Sequence, residues 1–338
     1  MTKHKFRLPP FRARHIVSTL SQAMGWGLTQ LHVPETWTIT QGEDINILII
    51  DTGYSNHNDL VGAMIKEKCK SFVLTESIID DFNGHSSHVS GIIGARNNDF
   101  GMVGIAPKCN IITYKVLDQS GVGEYQAIYN ALKGAINLKP DIISMSLGGP
   151  DDDASIHRLI EDLYDMDIPI IAAAGNEGEN GVMYPGNYEE VITVGAFDKD
   201  GKIANFSSVG DGVDFAAPGV QIYSTYLNNK FCIMNGTSQA TPFFAGLVAL
   251  LLSKHRKQEK ETGQNDCKTI TQIREHLIKY ADDKGIVGKD KYFGYGVIDV
   301  YKLIYEGESV AEPPPIQQPP QKKTVWQRLA AWWRNIVG

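Results

Sequence analysis

Short, nearly continuous apolar runs that alternate with helix-length segments constrain the fold of this chain more than any other feature. Runs of this kind are typical of strands that are buried on both faces of a sheet. The runs cover residues 45–50, 111–117, 141–146, 168–174 and 191–196, and helical composition covers residues 124–138, 155–166 and 241–255. The alternation predicts an α/β fold, in which helices cover both faces of a parallel sheet. In such sheets the active site lies where the carboxyl ends of the strands meet the loops.

Three segments stand out as candidates for an active site. Asp51-Thr52-Gly53 directly follows the run 45–50, which puts a carboxylate at the carboxyl end of a strand. Segment 83–91 is rich in small residues that suit a closely packed helix start, and segment 235–242 opens the apolar helix that follows. Ser238, at the beginning of that helix, would lie beside unpaired N–H groups and the positive end of the helix dipole. Both favour a developing oxyanion.

Each of these signals has an ordinary interpretation when it stands alone. An aspartate at a strand end is often a helix cap or a turn residue, and a Gly-Thr-Ser before a helix is often an N-cap. His85 and His88, three residues apart, are either metal ligands or histidines with ordinary hydrogen bonds. The occurrence of all three segments in the order Asp, His, Ser favours catalysis by a nucleophilic serine.

The motifs resemble those of the subtilisin family, and most of all those of its intracellular members. The stretches DTG, GHSSHVSG, SMSLGGP, AAAGNEG and NGTSQATP follow the order and spacing of the family across about residues 21–305. The resemblance implies a doubly wound, mostly parallel sheet with helices on both faces. It also implies a serine endopeptidase that hydrolyses protein or peptide substrates through an acyl-enzyme intermediate.

The resemblance assigns a role to each catalytic residue. Ser238 is the nucleophile, His85 is its base, and Asp51 holds the imidazole of His85 in the required tautomer. The side-chain amide of Asn176 and the backbone N–H of Ser238 are the donors to the oxyanion. His88 is assigned a structural role, because the mechanism needs a single imidazole.

The resemblance also predicts a substrate cleft. The residues that it places there are Ser146, Leu147 and Gly148 as a pairing strand, Gly175 and Met183 around the primary pocket, and Tyr125 and Ile128 around an apolar pocket further upstream. Pairing of an extended peptide with such a strand is β-augmentation. The sequence departs from the family pattern at Ser86-Ser87, where Gly-Thr is usual, and at Gln239, where methionine is usual. The second change lies next to the nucleophile and leaves the exact cleavage preference open.

Segment 96–102 has the composition of a polar turn between a helix and a strand. The resemblance implies that this loop instead holds Ca²⁺. The implied ligands are the backbone carbonyls of Arg96, Phe100 and Met102 and the side chains of Gln22, Asp59 and Asn98. All six donors are oxygen atoms, which a hard cation requires.

Residues 1–20 form a basic N-terminal extension with a charge of +5, ahead of the catalytic domain 21–305. Leu8-Pro9-Pro10-Phe11 resembles the segment that intracellular subtilisins lay across their own active site. The extension is therefore interpreted as an autoinhibitory propeptide of a zymogen, with processing expected at the Leu20–Ser21 bond. The alternative is a disordered basic leader with no regulatory role.

The C-terminal region divides into a proline-rich linker, 306–321, and a basic tail, 322–338. A helix would bring together the apolar side chains of Val325, Leu329, Trp332, Trp333 and Ile336. Such a basic amphipathic helix binds a membrane surface or a protein partner. Docking on the catalytic domain of the same chain is an equal alternative.

Cysteine spacing and charge set the remaining expectations. Cys69, Cys109, Cys232 and Cys267 show no CxxC pair or regular spacing, which argues against a disulfide framework or a zinc site. With no visible signal peptide and no long apolar run, we expect a cytoplasmic protein. The net charge is −7 and the two ends carry +5 and +4, so that segment 21–321 holds about −16. This acidic body disfavours nucleic acid as a partner.

Two other functions are compatible with these motifs. One is a catalytically inactive binding module on a subtilisin scaffold, which the presence of all four catalytic residue types disfavours. The other is an esterase with the same constellation, although the chain lacks the Gly-x-Ser-x-Gly motif of many esterases.

Overall fold

The apolar runs form the centre of a nine-stranded sheet. The structure is a computed structural model and describes residues 5–8, 14–17, 22–74 and 77–306, with the backbone alone for 14–17. The strands are β1 (Lys5–Arg7), β2 (Arg14–Val17), β3 (Asn46–Asp51), β4 (Lys70–Ser71), β5 (Asn110–Lys115), β6 (Val122–Glu124), β7 (Ile142–Met145), β8 (Ile170–Ala173), β9 (Val191–Phe197), β10 (Phe215–Pro218), β11 (Ile222–Tyr226), β12 (Lys230–Met234), β13 (Ala281–Asp282) and β14 (Val297–Ile298). The helices are α1 (Trp26–Gln30), α2 (Val33–Thr36), α3 (His85–Gly94), α4 (Tyr125–Leu138), α5 (Ala154–Tyr164), α6 (Thr237–Thr262), α7 (Ile270–Lys279) and α8 (Val300–Tyr305).

The main sheet has the strand order β13-β14-β10-β9-β8-β7-β3-β5-β4. Every neighbouring pair in it is parallel except β13 with β14. The order reverses around β3, since the chain moves to one side for β4 and β5 and to the other for β7 to β10. The predicted α/β fold with a mostly parallel sheet is therefore confirmed. Two small antiparallel sheets, β1-β6 and β11-β12-β2, lie beside it.

Both faces of the main sheet are buried, as the apolar runs require. Along β3, Ile47 and Ile49 belong to one hydrophobic cluster, and Leu48 and Ile50 belong to another. Successive side chains of a strand point to opposite faces, so the two clusters lie on the two sides of the sheet. Residues of α3, α6, α7 and α8 pack in the first cluster, and residues of α4 and α5 pack in the second.

The last predicted helix begins earlier than the sequence indicated. Helix α6 starts at Thr237 instead of residue 241, and Pro242 lies inside it. Proline has no N–H, so the carbonyl of Ser238, four residues earlier, loses its partner within the helix. That carbonyl accepts a hydrogen bond from Ser146 Oγ at 3.0 Å, which satisfies it from another element. Ser238 is consequently the second residue of a 26-residue helix.

The described residues belong to one compact unit that ends at Glu306. None of the described helices combines the length and the apolar character that a membrane span requires. Pro9, Pro10, Phe11, the Leu20–Ser21 bond, the linker beyond Glu306 and the tail 322–338 lie outside the described residues. The predictions for these segments stay predictions.

Candidate active site

Asp51 and His85 meet at the carboxyl end of β3. Asp51 is the last residue of that strand and His85 is the first residue of α3, and both side chains are almost completely buried. His85 Nδ1 lies 2.9 Å from each carboxylate oxygen of Asp51. A proton on Nδ1 that is donated to the carboxylate leaves the lone pair on Nε2, which is the form a general base needs.

Ser238 lies at the beginning of α6, which packs against α3. Its Oγ donates to the carbonyl of Ser146 at 3.1 Å, and Ser146 Oγ donates to the carbonyl of Ser238 at 3.0 Å. This reciprocal pair joins the first turn of α6 to the segment that follows β7. The hydroxyl therefore lies at the edge of the sheet where the strands β3, β7 and β8 end.

Asn176 follows β8 and is held by the residue before the serine. Its Oδ1 accepts hydrogen bonds from the backbone N and the hydroxyl of Thr237, at 3.0 and 2.9 Å. This orientation leaves the amide nitrogen for another acceptor. A Cβ placed on Gly236 would lie 2.9 Å from Gln239 Oε1, 3.2 Å from Asn176 Nδ2 and 3.6 Å from Ser238 N. Two N–H donors thus border one small space beside the serine, an arrangement that suits an oxyanion.

Asp81 connects the two segments that carry Asp51 and His85, and the sequence analysis did not identify it. One of its carboxylate oxygens accepts from Thr52 Oγ1 at 2.9 Å and from two backbone N–H groups just before α3. The other accepts from the backbone N and the hydroxyl of Ser87, both at 2.8 Å. An aspartate shortly before the Asn-Gly turn that opens a helix was the available signal, because aspartate caps helix starts.

His88 has the structural role that was predicted for it. It is completely buried, and its Nε2 lies 3.1 Å from the carbonyl of Ile222 and 3.3 Å from that of Cys232. Burial lowers the pKa of His88 to about 3, so the ring is neutral and links α3 to the β11-β12 sheet.

The predicted pocket residues lie along one side of this site. Met183 packs against Gly175, where a Cβ would lie 2.7 Å from Met183 Cγ, and φ is +110°. Glycine is favoured at that position both by the close approach and by the positive φ. Ser146 and Leu147 are buried, and Gly148 continues from them along the edge of the cleft.

The N-terminal segment 5–8 occupies the other part of the predicted cleft. Strand β1 pairs antiparallel with β6 on one side, and Arg7 N donates to the carbonyl of Gly148 at 3.1 Å on the other. Leu8 N donates to the carbonyl of Gly121 at 2.9 Å. Phe6 is 1% exposed and its ring centroid lies 4.6 Å from that of Tyr125. Phe6 also belongs to the same hydrophobic cluster as Ile128, so it fills the predicted upstream pocket.

The structure brings the predicted calcium ligands together around Asp59. The Asp59 carboxylate is fully buried and accepts from Met102 N at 2.8 Å and from Asn98 Nδ2 at 3.0 Å. Gln22 Nε2 lies 2.9 Å from the carbonyl oxygen of Arg96 and 3.3 Å from that of Met102. Burial raises the pKa of Asp59 to about 6.

The sixth predicted ligand, Phe100, is placed less directly. Its backbone N donates to Asn98 Oδ1 at 3.4 Å, and its side chain is exposed. The donor set still fits a hard cation, because it combines a buried carboxylate with side-chain amide and backbone carbonyl oxygens. A half-turn of the Gln22 or Asn98 amide would direct its oxygen toward the same centre.

Comparison with known proteins agrees with the sequence motifs. The sequence model of the Subtilase family matches residues 42–296. The chain is 39% identical over 276 residues to "Minor extracellular protease Epr" of Bacillus subtilis (strain 168), covering 81% of this chain and 40% of that protein. It is 39% identical over 267 residues to subtilisin DY of Bacillus licheniformis, covering 77% of this chain and 90% of that protein. It is 37% identical to subtilisin NAT of Bacillus subtilis subsp. natto over 296 residues, which cover 85% of this chain and 72% of that protein.

Proposed function

Since the chain belongs to the subtilase family, we propose that it hydrolyses peptide bonds as a serine endopeptidase with Ser238 as its nucleophile. The observation that carries this proposal is the contact of His85 Nδ1 with both oxygens of Asp51, at the strand end beside the start of α6. A buried carboxylate on one side of an imidazole prepares the other nitrogen to accept a proton.

In the proposed reaction, each of these residues has one role. His85 Nε2 accepts the proton of Ser238 Oγ while that oxygen attacks the scissile carbonyl carbon. The charge that develops on the carbonyl oxygen is stabilised by Asn176 Nδ2 and by the backbone N–H of Ser238. His85 then protonates the leaving amine, the acyl-enzyme forms, and a water molecule activated by the same imidazole hydrolyses it. Asp51 stabilises the imidazolium in both steps.

The test compares two serines of one helix. Ser238→Ala should lower the hydrolysis of casein and of a chromogenic peptide at least about a thousandfold and abolish labelling by a serine-directed phosphonate. Ser253→Ala is the matched control, because Ser253 lies further along α6 and donates to the carbonyl of Glu43. Retained hydrolysis in Ser238→Ala would identify another nucleophile. Equal loss of hydrolysis in both variants would indicate a folding defect. Wild-type protein that binds peptides without cleaving them would contradict an enzymatic function.

We propose that substrates are extended protein or peptide segments that pair with the backbone at Gly148. The pairing of segment 5–8 with Gly148 and β6 supports this, because it is the geometry of β-augmentation. Tyr125 and Ile128 would accept an apolar side chain, and Gly175 and Met183 would line the pocket next to the cleaved bond.

We propose that Ca²⁺ is bound by Asp59, by the side chains of Gln22 and Asn98, and by the carbonyls of the 96–102 loop. The buried carboxylate of Asp59 supports this, because a charged group without a cation nearby is costly to bury. The ion would fasten the loop after α3 to the residues before α1. It would stabilise the folded state by binding to that state alone.

We propose further that residues 1–20 are an inhibitory propeptide and that the chain is a zymogen. Occupation of the cleft by segment 5–8 supports this, since a substrate needs the same backbone partners. The proline pair that follows Leu8 in the sequence adds a reason for slow cleavage, because proline has no N–H and a fixed φ. Processing near the Leu20–Ser21 bond would then separate the inhibitor from the catalytic domain.

We propose a cytoplasmic location, because all four cysteines are free and buried. Thiols stay reduced in that compartment. Detection of the chain in the culture medium instead of with a cytoplasmic marker would contradict this.

The tail 322–338 is proposed to bind an anionic membrane surface or a protein partner. Co-sedimentation with anionic liposomes should decrease when 322–338 is deleted. Unchanged co-sedimentation would remove the membrane version of the proposal.

A further inference from the structure

Three side chains of types that can bind metals converge beside the second half of α6, at His255, which lies about 25 Å along the helix from Ser238. His255 lies on α6, Cys267 lies in the connection to α7, and His276 lies on α7. One potential ligand atom of each lies within 4.8 Å of those of the other two. We propose that these three residues bind a zinc ion, with Glu306 at the end of α8 as the fourth ligand.

His255 supplies the strongest reason for a ligand at this place. Its side chain is fully buried, and among the described residues neither ring nitrogen has a hydrogen-bond partner. Its Nε2 lies 3.1 Å from Glu306 Oε1 without the geometry of a hydrogen bond. Buried polar side chains nearly always have a partner, so an imidazole with two unsatisfied nitrogens requires an explanation. A metal ion on one nitrogen provides it.

His276 is oriented in the way that metal-bound histidines usually are. Its Nδ1 lies 3.0 Å from the carbonyl of Gln272, one turn earlier on α7, and donates its proton there. The lone pair is consequently on Nε2, which lies 3.8 Å from Glu306 Oε1. Histidines that bind metals commonly donate their other ring N–H to a backbone carbonyl, which fixes the tautomer of the ring.

The composition of the cluster favours zinc over calcium. Two imidazoles and the thiol of Cys267, which is almost completely buried, offer nitrogen and sulfur, whereas calcium prefers oxygen. In a tetrahedral zinc site with bonds of about 2.0–2.3 Å, the ligand atoms are about 3.3–3.7 Å apart. The ligand atoms lie within 4.8 Å of one another, so a contraction of at most about 1.5 Å is required, which side-chain rotations can supply.

Glu306 is held toward the cluster by a neighbouring cation. Lys254 Nζ lies 2.9 Å from Glu306 Oε1, the same oxygen that faces both histidines. The ion would join α6, the connection before α7, α7 itself and the end of α8. The cluster was not evident from the sequence, because its ligands are separated by long intervals without a CxxC pair.

A second group of similar residues lacks these properties. His157 lies with Glu161 and Glu190 on a partly exposed surface. Its Nε2 is paired with Glu190 at 3.1 Å, and its ring stacks on Tyr188. Its Nε2 has a partner without an ion, so His157 serves as a control.

The test uses the full chain with Ser238→Ala, which prevents self-digestion, purified without a histidine tag and stripped with a chelator. Co²⁺ alone and Zn²⁺ alone are then titrated in saturating Ca²⁺. We expect a single equivalent of Co²⁺ with a thiolate-to-cobalt charge-transfer band, displaced by Zn²⁺. Cys267→Ala should abolish the band, and His276→Gln should lower Co²⁺ affinity at least about tenfold.

Two variants control for folding and for adventitious binding. Cys109→Ala removes another buried thiol of the same hydrophobic cluster, and His157→Gln removes the partly exposed histidine of the second group. Both should bind Co²⁺ as the parent does, and Zn²⁺ should raise the melting temperature of both but not of Cys267→Ala. Failure of the parent to bind either ion, or a charge-transfer band that survives Cys267→Ala, would overturn the proposal. Equal loss of the band in Cys109→Ala would overturn it as well.

Discussion

Replacing Phe6 by alanine should release the N-terminal segment from the cleft and activate the intact chain. Phe6 is the buried residue of β1, whereas its neighbours Lys5 and Arg7 are exposed. The substitution removes the ring that fills the pocket beside Tyr125 and leaves the backbone hydrogen bonds of the segment unchanged. The apolar anchor is therefore tested separately from the strand pairing.

The magnitude follows from the burial of that side chain. Full burial of a phenylalanine contributes about 1.5–3 kcal/mol, and an aromatic pair adds about 0.5–1.5 kcal/mol. Loss of about 2–4 kcal/mol shifts the equilibrium between the bound and released segment by about thirtyfold to several hundredfold. Initial rates should rise by that factor, or until every molecule has an open cleft.

The assay measures initial rates with a fluorogenic peptide for the intact wild type, Phe6→Ala and Lys5→Ala. Mass spectrometry of each sample confirms that the N-terminus is uncleaved. Lys5→Ala is the matched control, because it alters an exposed side chain of the same strand. A chain that begins at Ser21 gives the fully released rate. If Phe6→Ala matches the wild type while the Ser21 chain is faster, burial of Phe6 does not hold the segment. If all four rates agree, the segment does not inhibit.

Two further predictions concern the calcium loop and the oxyanion donors. Calcium should raise the melting temperature strongly at pH 7.5 and progressively less as the pH falls through about 6, because burial raises the pKa of Asp59 to about 6 and binding needs its carboxylate. In chelator the melting temperature should instead fall as the pH rises from about 4 to 6, because the carboxyl of Asp59 holds its proton more tightly in the folded than in the unfolded chain. Calorimetry that finds no effect of calcium, or the same effect in Asp59→Asn, would contradict the site. Asn176→Ala should lower kcat about 10²- to 10³-fold with little change in KM, and steady-state kinetics with unchanged kcat would exclude Asn176 as a donor.

Periodicity predicted the sheet well because β3, β7, β8 and β9 are buried on both faces. A strand of that kind is apolar at nearly every position, so its existence follows from the run of residues alone. The end of the run 45–50 placed Asp51 at a strand end, and the small residues around His85 indicated the start of a helix. The early start of α6 did not follow, because Pro242 disfavours a helix unless the released carbonyl finds another partner. That partner, Ser146, is distant in sequence.

Other features depended on contacts that no local pattern encodes. Phe6 is an ordinary apolar residue in a basic segment, and only the folded chain shows that β6 and Gly148 supply backbone partners on the two sides of its strand. The contacts of Asp81 could have been inferred in part from its position before a helix, but its bond to Thr52 joins two separate elements. The cluster of His255, Cys267, His276 and Glu306 depends on how α6, α7 and α8 pack together.

The reciprocal hydrogen bonds between Ser146 and Ser238 have a consequence for how the cleft adapts to different substrates. They join the wall of the cleft at residues 146–148 to α6, which carries the Ser238 hydroxyl. This wall and the hydroxyl should therefore move together. We therefore expect the spacing between the Gly148 edge and the reactive oxygen to stay constant when peptides of different width are bound.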